Sequence, residues 1–199
     1  MKKVLFILIM LTAITVTQGQ TRKVQLLIDE TKGEWNTDEN RNLSYQKVTE
    51  ISGVSKEELF LRAENYFTYS YNTGKDVVLA KDKDQGLIIG KGIWTDFYVA
   101  KMSSMNYSAS HVLRLDIKDG KVRVTLTVQN YDILYRNRDT GSTTSVLLNS
   151  VYPLNTASAT KTREGKAFYA LHDKCMMAIS LLILNLKTEG FSIAKGNNW

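Results

Sequence analysis

One cysteine, Cys175, stands in the whole chain, so no disulfide can form within a molecule whatever the surrounding redox state. The fold must be held by its core. Histidine is almost as scarce, with only His111 and His172. A zinc site would need further Cys, Asp or Glu at close spacing, and Asp173 next to His172 does not supply one, because neighbours on a helix point about 100° apart. No metal site is expected, and the reading is a solvated His111 at a strand start and a partly exposed His172 on a helix. A serine in a G-x-S-x-G elbow is missing too. Cys175 lies in an apolar helical pattern rather than at a strand-to-helix turn, where a buried thiol is ordinary; an intermolecular disulfide or a reactive thiol is the alternative. No catalytic residue and no cofactor are therefore assigned. Lysine and arginine are scattered, with no basic block, so a solvated surface is expected and nucleic acid is not an expected partner.

What is present begins with an N-terminal segment of recognisable design. Lys2 and Lys3 precede an apolar run at residues 4–13, followed by small or polar residues 15–20. This is the pattern of a secretory signal peptide cleaved after Gly19, with Thr17 and Gly19 at the minus-three and minus-one positions. An uncleaved anchor helix is the alternative, but the run falls short of the ~18 residues that span a bilayer. No Cys follows the run, so lipid attachment is not expected. The expectation is an exported protein, periplasmic or secreted, with no membrane span after cleavage. Two of the 26 basic residues and none of the 20 acidic ones lie in residues 1–19, so the formal charge goes from +6 to +4. With 43% hydrophobic and 23% charged residues the remainder suits one core. The expected division is residues 1–19 signal peptide, 20–44 arm and loop, 45–190 a single α+β domain, and 191–199 a tail.

Within residues 20–44, the apolar run 24–28 reads as a strand or arm, followed by a flexible polar loop over 31–42. Tyr45, Val48 and Ile51 suit a strand that Gly53 ends. Ser55 and Glu58 form an S-x-x-E capping box, with Val54 and Leu59 at the staple positions. Leu59, Ala63, Tyr66, Phe67 and Ser70 recur at helical spacing, and Asn72, Thr73 and Gly74 signal the stop. Residues 76–80 and 86–94 read as a hairpin turning at residues 81–85. The second hairpin turns at Asp119-Gly120, a pair suited to a type I′ turn in which both central residues have positive φ. That register opposes Lys118 with Lys121, Ile117 with Val122, Asp116 with Arg123 and Leu115 with Val124. It puts Leu113, Leu115, Ile117, Val122, Val124 and Leu126 on a core face, and Arg114, Asp116, Arg123 and Thr125 on a wet one. Residues 95–110 read as a strand end and a loop or bulged edge. Residues 136–165, with the sole proline Pro153 and an apolar island at 146–154, read as a long connection of little regular structure. Residues 166–188 form a second helix bearing Phe168, Leu171, Cys175, Ala178, Ile179, Leu182 and Leu186 on one face, ended by Gly190. Its half at 176–186 is apolar nearly all round and is expected to be clasped between the sheet and the long loop, or else pressed on a second subunit.

The order is strand, helix, four strands, helix, with both helices on one face of an antiparallel sheet: an α+β layer of β-α-β4-α topology. The stretch Tyr-Gln-Lys-Val-Thr-Glu-Ile-Ser-Gly-Val-Ser-Lys-Glu-Glu-Leu at 45–59, with Leu-Ile-Ile-Gly-Lys-Gly at 87–92, resembles the exported bacterial domains of unknown function with a TATA-binding-protein-like fold. The hairpin at Asp119-Gly120 and the Tyr152-Pro153 pair are similar to that family as well. The resemblance implies the topology and export, and carries over no functional residue. Fold alone does not assign function.

Three local patterns invite a chemical reading. Residues 82–86, Asp-Lys-Asp-Gln-Gly, superficially suggest a calcium turn but lack the third ligand and later Glu of an EF-hand loop. Gly90-Lys91-Gly92 is not followed by a helix, as a phosphate loop requires, and strand glycines more often mark close packing of a helix or a bulge. Glu57, Glu58 and Glu64 suit helix electrostatics and capping. Aromatic residues cluster at Tyr66, Phe67, Tyr69 and Tyr71, and again at Trp94, Phe97, Tyr98 and Tyr107. Trp94, Tyr98 and Tyr107 are the candidates for lining a groove for a small ligand. The expected function is an exported, non-catalytic binding or interaction module for a small ligand or protein partner. An enzyme whose site is assembled from distant residues is the alternative, as is a structural subunit or homo-oligomer.

Overall fold

The computed structural model describes residues 22–71, 77–136, 141–155 and 161–188. The expected signal peptide, the tail 191–199, the helix stop at 72–74 and Gly190 lie outside the described residues. The helices are α1 (22–31), α2 (Lys56–Ser70) and α3 (Lys161–Thr188). The strands are β1 (Asn36–Thr37), β2 (Leu43–Glu50), β3 (Val77–Asp82), β4 (Leu87–Ala100), β5 (Met105–Lys118), β6 (Lys121–Val128), β7 (Asn130–Arg136) and β8 (Gly141–Leu147). They form one antiparallel sheet in the order β1-β2-β6-β5-β4-β3, with β7 paired to β5 and β8 to β7. The α+β class and the β-α-β4-α path hold. A third helix and a further hairpin are added to them.

Strict alternation along β5 and β6 builds the centre. Leu113, Leu115, Ile117, Val122, Val124 and Leu126 are all buried, and the register pairs Lys118 with Lys121 and Ile117 with Val122 as expected. The turn itself differs from the type I′ expectation. Gly120 takes φ +63°, but among the described non-glycine residues only Arg41, Asp96 and Ser104 have positive φ. Asp119 keeps a negative φ, and its carboxylate accepts the Lys56 N–H at 2.8 Å, where the first turn of α2 has spare donors. Gly120 also exchanges backbone bonds with Val54 and Ile51, at 2.9 and 2.7 Å. The hairpin tip is thus tied to the start of α2. Ser55 caps that helix as predicted by accepting the Glu58 N–H, while the Glu58 carboxylate takes the Arg62 Nε at 2.9 Å.

The helices α2 and α3 lie on the core face of the sheet and run antiparallel: Arg62, midway along α2, donates to the Leu186 carbonyl, at 2.8 Å, near the end of α3, and Ser70 at the end of α2 lies beside the stretch of α3 around Lys174. Phe168, Leu171, Cys175, Ile179, Leu182 and Leu186 of α3 are buried as the stripe predicted. The helix starts earlier than residue 166. It is long and apolar enough to cross a membrane by length and composition, yet this buried stripe is what any core helix shows. The expected clasp over residues 176–186 is not found, since Met177, Leu181 and Leu184 remain about half exposed (54, 48 and 54%).

Three further segments correct the sequence reading. Residues 22–31 are helical, not an arm or strand: Val24, Ile28 and Thr31 are buried one turn apart, and the short apolar run at 24–28 had masked that period. This helix leans on α3 through Val24 and on Tyr152, whose hydroxyl donates to Gln25. Residues 95–110 are mostly strand, because β4 and β5 extend as a long ladder joined by a tight turn at Lys101–Ser103, with the irregularity between Trp94 and Tyr98. The segment 136–165 holds β8 and a 3-10 turn at Leu148–Ser150. The β8 sequence Gly-Ser-Thr-Thr-Ser-Val-Leu is polar because only one edge and little of its surface are covered, so hydropathy gave no strand signal.

Candidate functional site

Alternation on the central ladder places one aromatic pair at a helix junction. Trp94 lies opposite Ala109 and His111 opposite Gly92, so both occupy the core-facing side of β4 and β5. Their rings stack at 3.8 Å with 14° between planes. His111 Nε2 shares a hydrogen bond of 2.8 Å with the Tyr71 hydroxyl, and Tyr71 closes α2 through its N–H to the Phe67 carbonyl. His111 is therefore buried, not solvated: its position is in phase with Leu113 and Leu115.

Above this pair lies an open groove of about 240 Å³ between the end of α2, the sheet and α3. From α2 come Tyr66, Ser70 and Tyr71; from the sheet come Ile93, Trp94 and His111. The α3 wall consists of Lys174, Met177, Ala178 and Leu181. Burial holds the Tyr66 hydroxyl above the ordinary tyrosine range, so it stays a neutral donor and acceptor. Half of this lining is apolar and none of it is a carboxylate. Such a surface can hold an apolar or flat body and hydrogen-bond a polar end.

The other two aromatic candidates lie elsewhere. Tyr98 and Tyr107 pack together at 5.4 Å, with Phe97 and Tyr131 around Tyr107. Tyr107 is fully buried and donates to the Glu164 carboxylate at 3.2 Å, which Arg163 also meets at 3.3 Å. Burial and the nearby Glu164 charge both push the Tyr107 hydroxyl up. This cluster ties the first turn of α3 to the sheet. Only Trp94 of the three lines the groove.

His172 is also buried rather than partly exposed. Its Nδ1 meets the Tyr45 hydroxyl at 3.2 Å and its Nε2 meets the Glu34 carboxylate at 3.0 Å. Burial lowers its pKa, with Glu34 opposing. Cys175 is buried and its thiol is pushed well up by desolvation, a poor nucleophile. Among the described residues no group of three His, Cys, Asp or Glu could hold a metal. In the turn at 82–86, Asp82 accepts the Gln85 N–H at 2.9 Å, an ordinary turn contact. Gly90 lies beneath Phe67, where an added Cβ would meet ring carbon Cδ1 at 2.7 Å, so this glycine marks a closely packed helix.

Residues 45–132 match the family model described as "Domain of unknown function (DUF4468) with TBP-like fold". This stretch is similar to the DUF4468 family. Two solved structures share its fold. A TBP-like protein from Parabacteroides distasonis aligns with TM-score 0.61 at 14% identity, over 76% of this chain and 96% of that one. A DUF4468 family protein from Bacteroides ovatus aligns with TM-score 0.51 at 15% identity, over 76% of this chain and 91% of that one. No curated protein matches the chain. The matched stretch supplies the floor and the α2 wall of the groove, including Trp94 and His111, whereas Lys174, Met177 and Leu181 lie beyond residue 132.

Sequence reasoning singled out Trp94 but missed His111, Tyr71 and Lys174 as its neighbours. The signal for His111 was present, because the hairpin register extended outward puts every odd position of β5 inward. Lys174 had no such signal, since only the antiparallel packing of α2 on α3 brings it to the groove.

Proposed function

We propose that the protein is an exported, non-catalytic module that binds a small ligand in the groove between α2, α3 and β4. The supporting observation is the Trp94–His111 stack at the floor of an open cavity whose lining is half apolar. Binding sites of this kind combine an apolar lining with few polar groups, whereas acid–base catalysis needs titratable groups converging on one point. Here His111 is already engaged by Tyr71 and covered by Trp94. Export rests on the charge, apolar and small-residue pattern of residues 1–19.

Native mass spectrometry of residues 20–199 purified from an exporting host tests this reading. The expected result is a small molecule retained by the wild type and lost from Trp94→Ala. A wild type that carries no ligand, or one kept equally by Trp94→Ala, refutes it. A second reading, a structural subunit assembling through α3, draws on the half-exposed Met177, Leu181 and Leu184. A monomer mass across a wide concentration range removes it.

A further inference from the structure

Resting on the binding reading above, we infer that the ligand is a single-chain amphiphile with an anionic head, the head at Lys174 and the chain along α3. Charge is the first support. Lys174 is the one fixed cation of the groove lining, no Asp or Glu shares that lining, and Lys174 has no ion-pair partner among the described residues. Tyr66 and Ser70 bring hydroxyls to the same lining, while the Tyr71 hydroxyl is shared with His111. A cation with hydroxyl donors and no competing acid selects an anion.

The apolar surface sets what the anion is attached to. Met177 and Leu181 line the groove, and Leu184 continues them one turn further, at the four- and three-residue spacing that keeps side chains on one side of a helix. This strip covers about 10 Å of helix axis and is about half exposed at each residue. The cavity of about 240 Å³ is smaller than the roughly 300–1,000 Å³ that encloses a drug-sized molecule. It seats one end of a chain, and the strip takes the rest. A sugar is disfavoured because the lining offers no Asp, Glu, Asn or Gln to hydrogen-bond its hydroxyls.

Calorimetric titration with submicellar decanoate, decanol and hexanoate tests the assignment. Decanoate binds, each methylene gained over hexanoate tightens binding about twofold because an open strip buries about half of it, and decanol binds about tenfold more weakly for want of the charge. Lys174→Gln erases the decanoate–decanol difference, and Leu184→Ser weakens decanoate without touching hexanoate. Equal binding of decanoate and decanol by the wild type overturns the inference. So does failure of all three probes while native mass spectrometry still shows a Trp94-dependent ligand, and in that case the binding reading stands. Binding confined to anionic vesicles, with none to monomeric decanoate, assigns the strip to a membrane surface and also overturns it. A dimer whose contact buries Leu181 does the same.

Discussion

Gly165→Ala sets two physical effects against each other at one site. Inside a helix, alanine is favoured over glycine by about 1 kcal/mol, because glycine loses more backbone entropy on ordering. At residue 165, however, a Cβ would overlap the Val24 Cγ1 methyl of α1 and would stand 3.2 Å from the Tyr152 ring. Val24 is buried, and a valine in a helix has essentially one χ1 rotamer, so it cannot turn aside. Either α1 moves off, losing the burial of Val24 and Ile28, or the overlap strains α3. Overpacking of this kind costs about 1–3 kcal/mol, and contacts from two sides place it near the upper end. A net loss of about 2 kcal/mol over a urea m-value of about 2 kcal/mol/M lowers the unfolding midpoint by about 1 M. Amides of residues 22–31 should lose hydrogen-exchange protection in the same variant. Val24→Ala should restore much of the loss in the Gly165→Ala background while destabilising the wild type, a coupling of opposite signs. A raised midpoint for Gly165→Ala, or strictly additive effects of the two changes, refutes the proposed docking of α1 on α3.

Arg62→Met removes the contacts to Glu58 and to the Leu186 carbonyl from a side chain only 10% exposed, and should destabilise by about 1–3 kcal/mol; an unchanged urea midpoint excludes a role in tying α2 to α3. His172 has a folded pKa below its ordinary 6.5, chiefly from burial, so the unfolded chain takes up the proton first as the solution is acidified. Stability should be full above pH ~6.5 and be lost as the pH falls from there through the folded value; His172→Gln should flatten that slope in thermal melts, and identical slopes refute the assignment. Cys175, buried and with its thiol pushed up, should stay unlabelled by a thiol reagent in the folded protein and react fully in denaturant. Fast native labelling would mean that α3 opens locally.

The parts of the fold that were legible in the sequence are those where a short-range rule acts without competition. The Ser55 cap and the register set by the tip at Asp119-Gly120 involve residues a few positions apart, and both appear as read. Even there a long-range contact changed the detail: the Lys56 N–H claims the Asp119 carboxylate, and the turn departs from type I′. Errors arose where local hydropathy carried two meanings. Residues 24–28 are apolar except for Gln25, so a helix whose buried apolar residues are only Val24 and Ile28 looks like a short strand, and the exposed Leu26 (56%) gives no warning. β8 failed in the opposite way, its polar side chains reflecting an exposed edge rather than an irregular chain.

The groove lies at the limit of such reasoning, because its residues 71, 94, 111 and 174 belong to four elements whose meeting depends on packing. Aromatic clustering contained two of them, Tyr71 and Trp94, but only Trp94 became a candidate, and Tyr98 and Tyr107 were nominated equally with it. What separates them is the irregularity between Trp94 and Tyr98, where Asp96 takes φ 50° and the ladder shifts. Before it, Trp94 stacks on His111 beneath the α2–α3 junction; after it, Tyr98 joins the rings around Tyr107 under the start of α3. A single backbone irregularity thus divides one aromatic run into a groove floor and a structural anchor. Trp94→Ala should accordingly act on ligand retention, and Tyr107→Phe on the docking of α3.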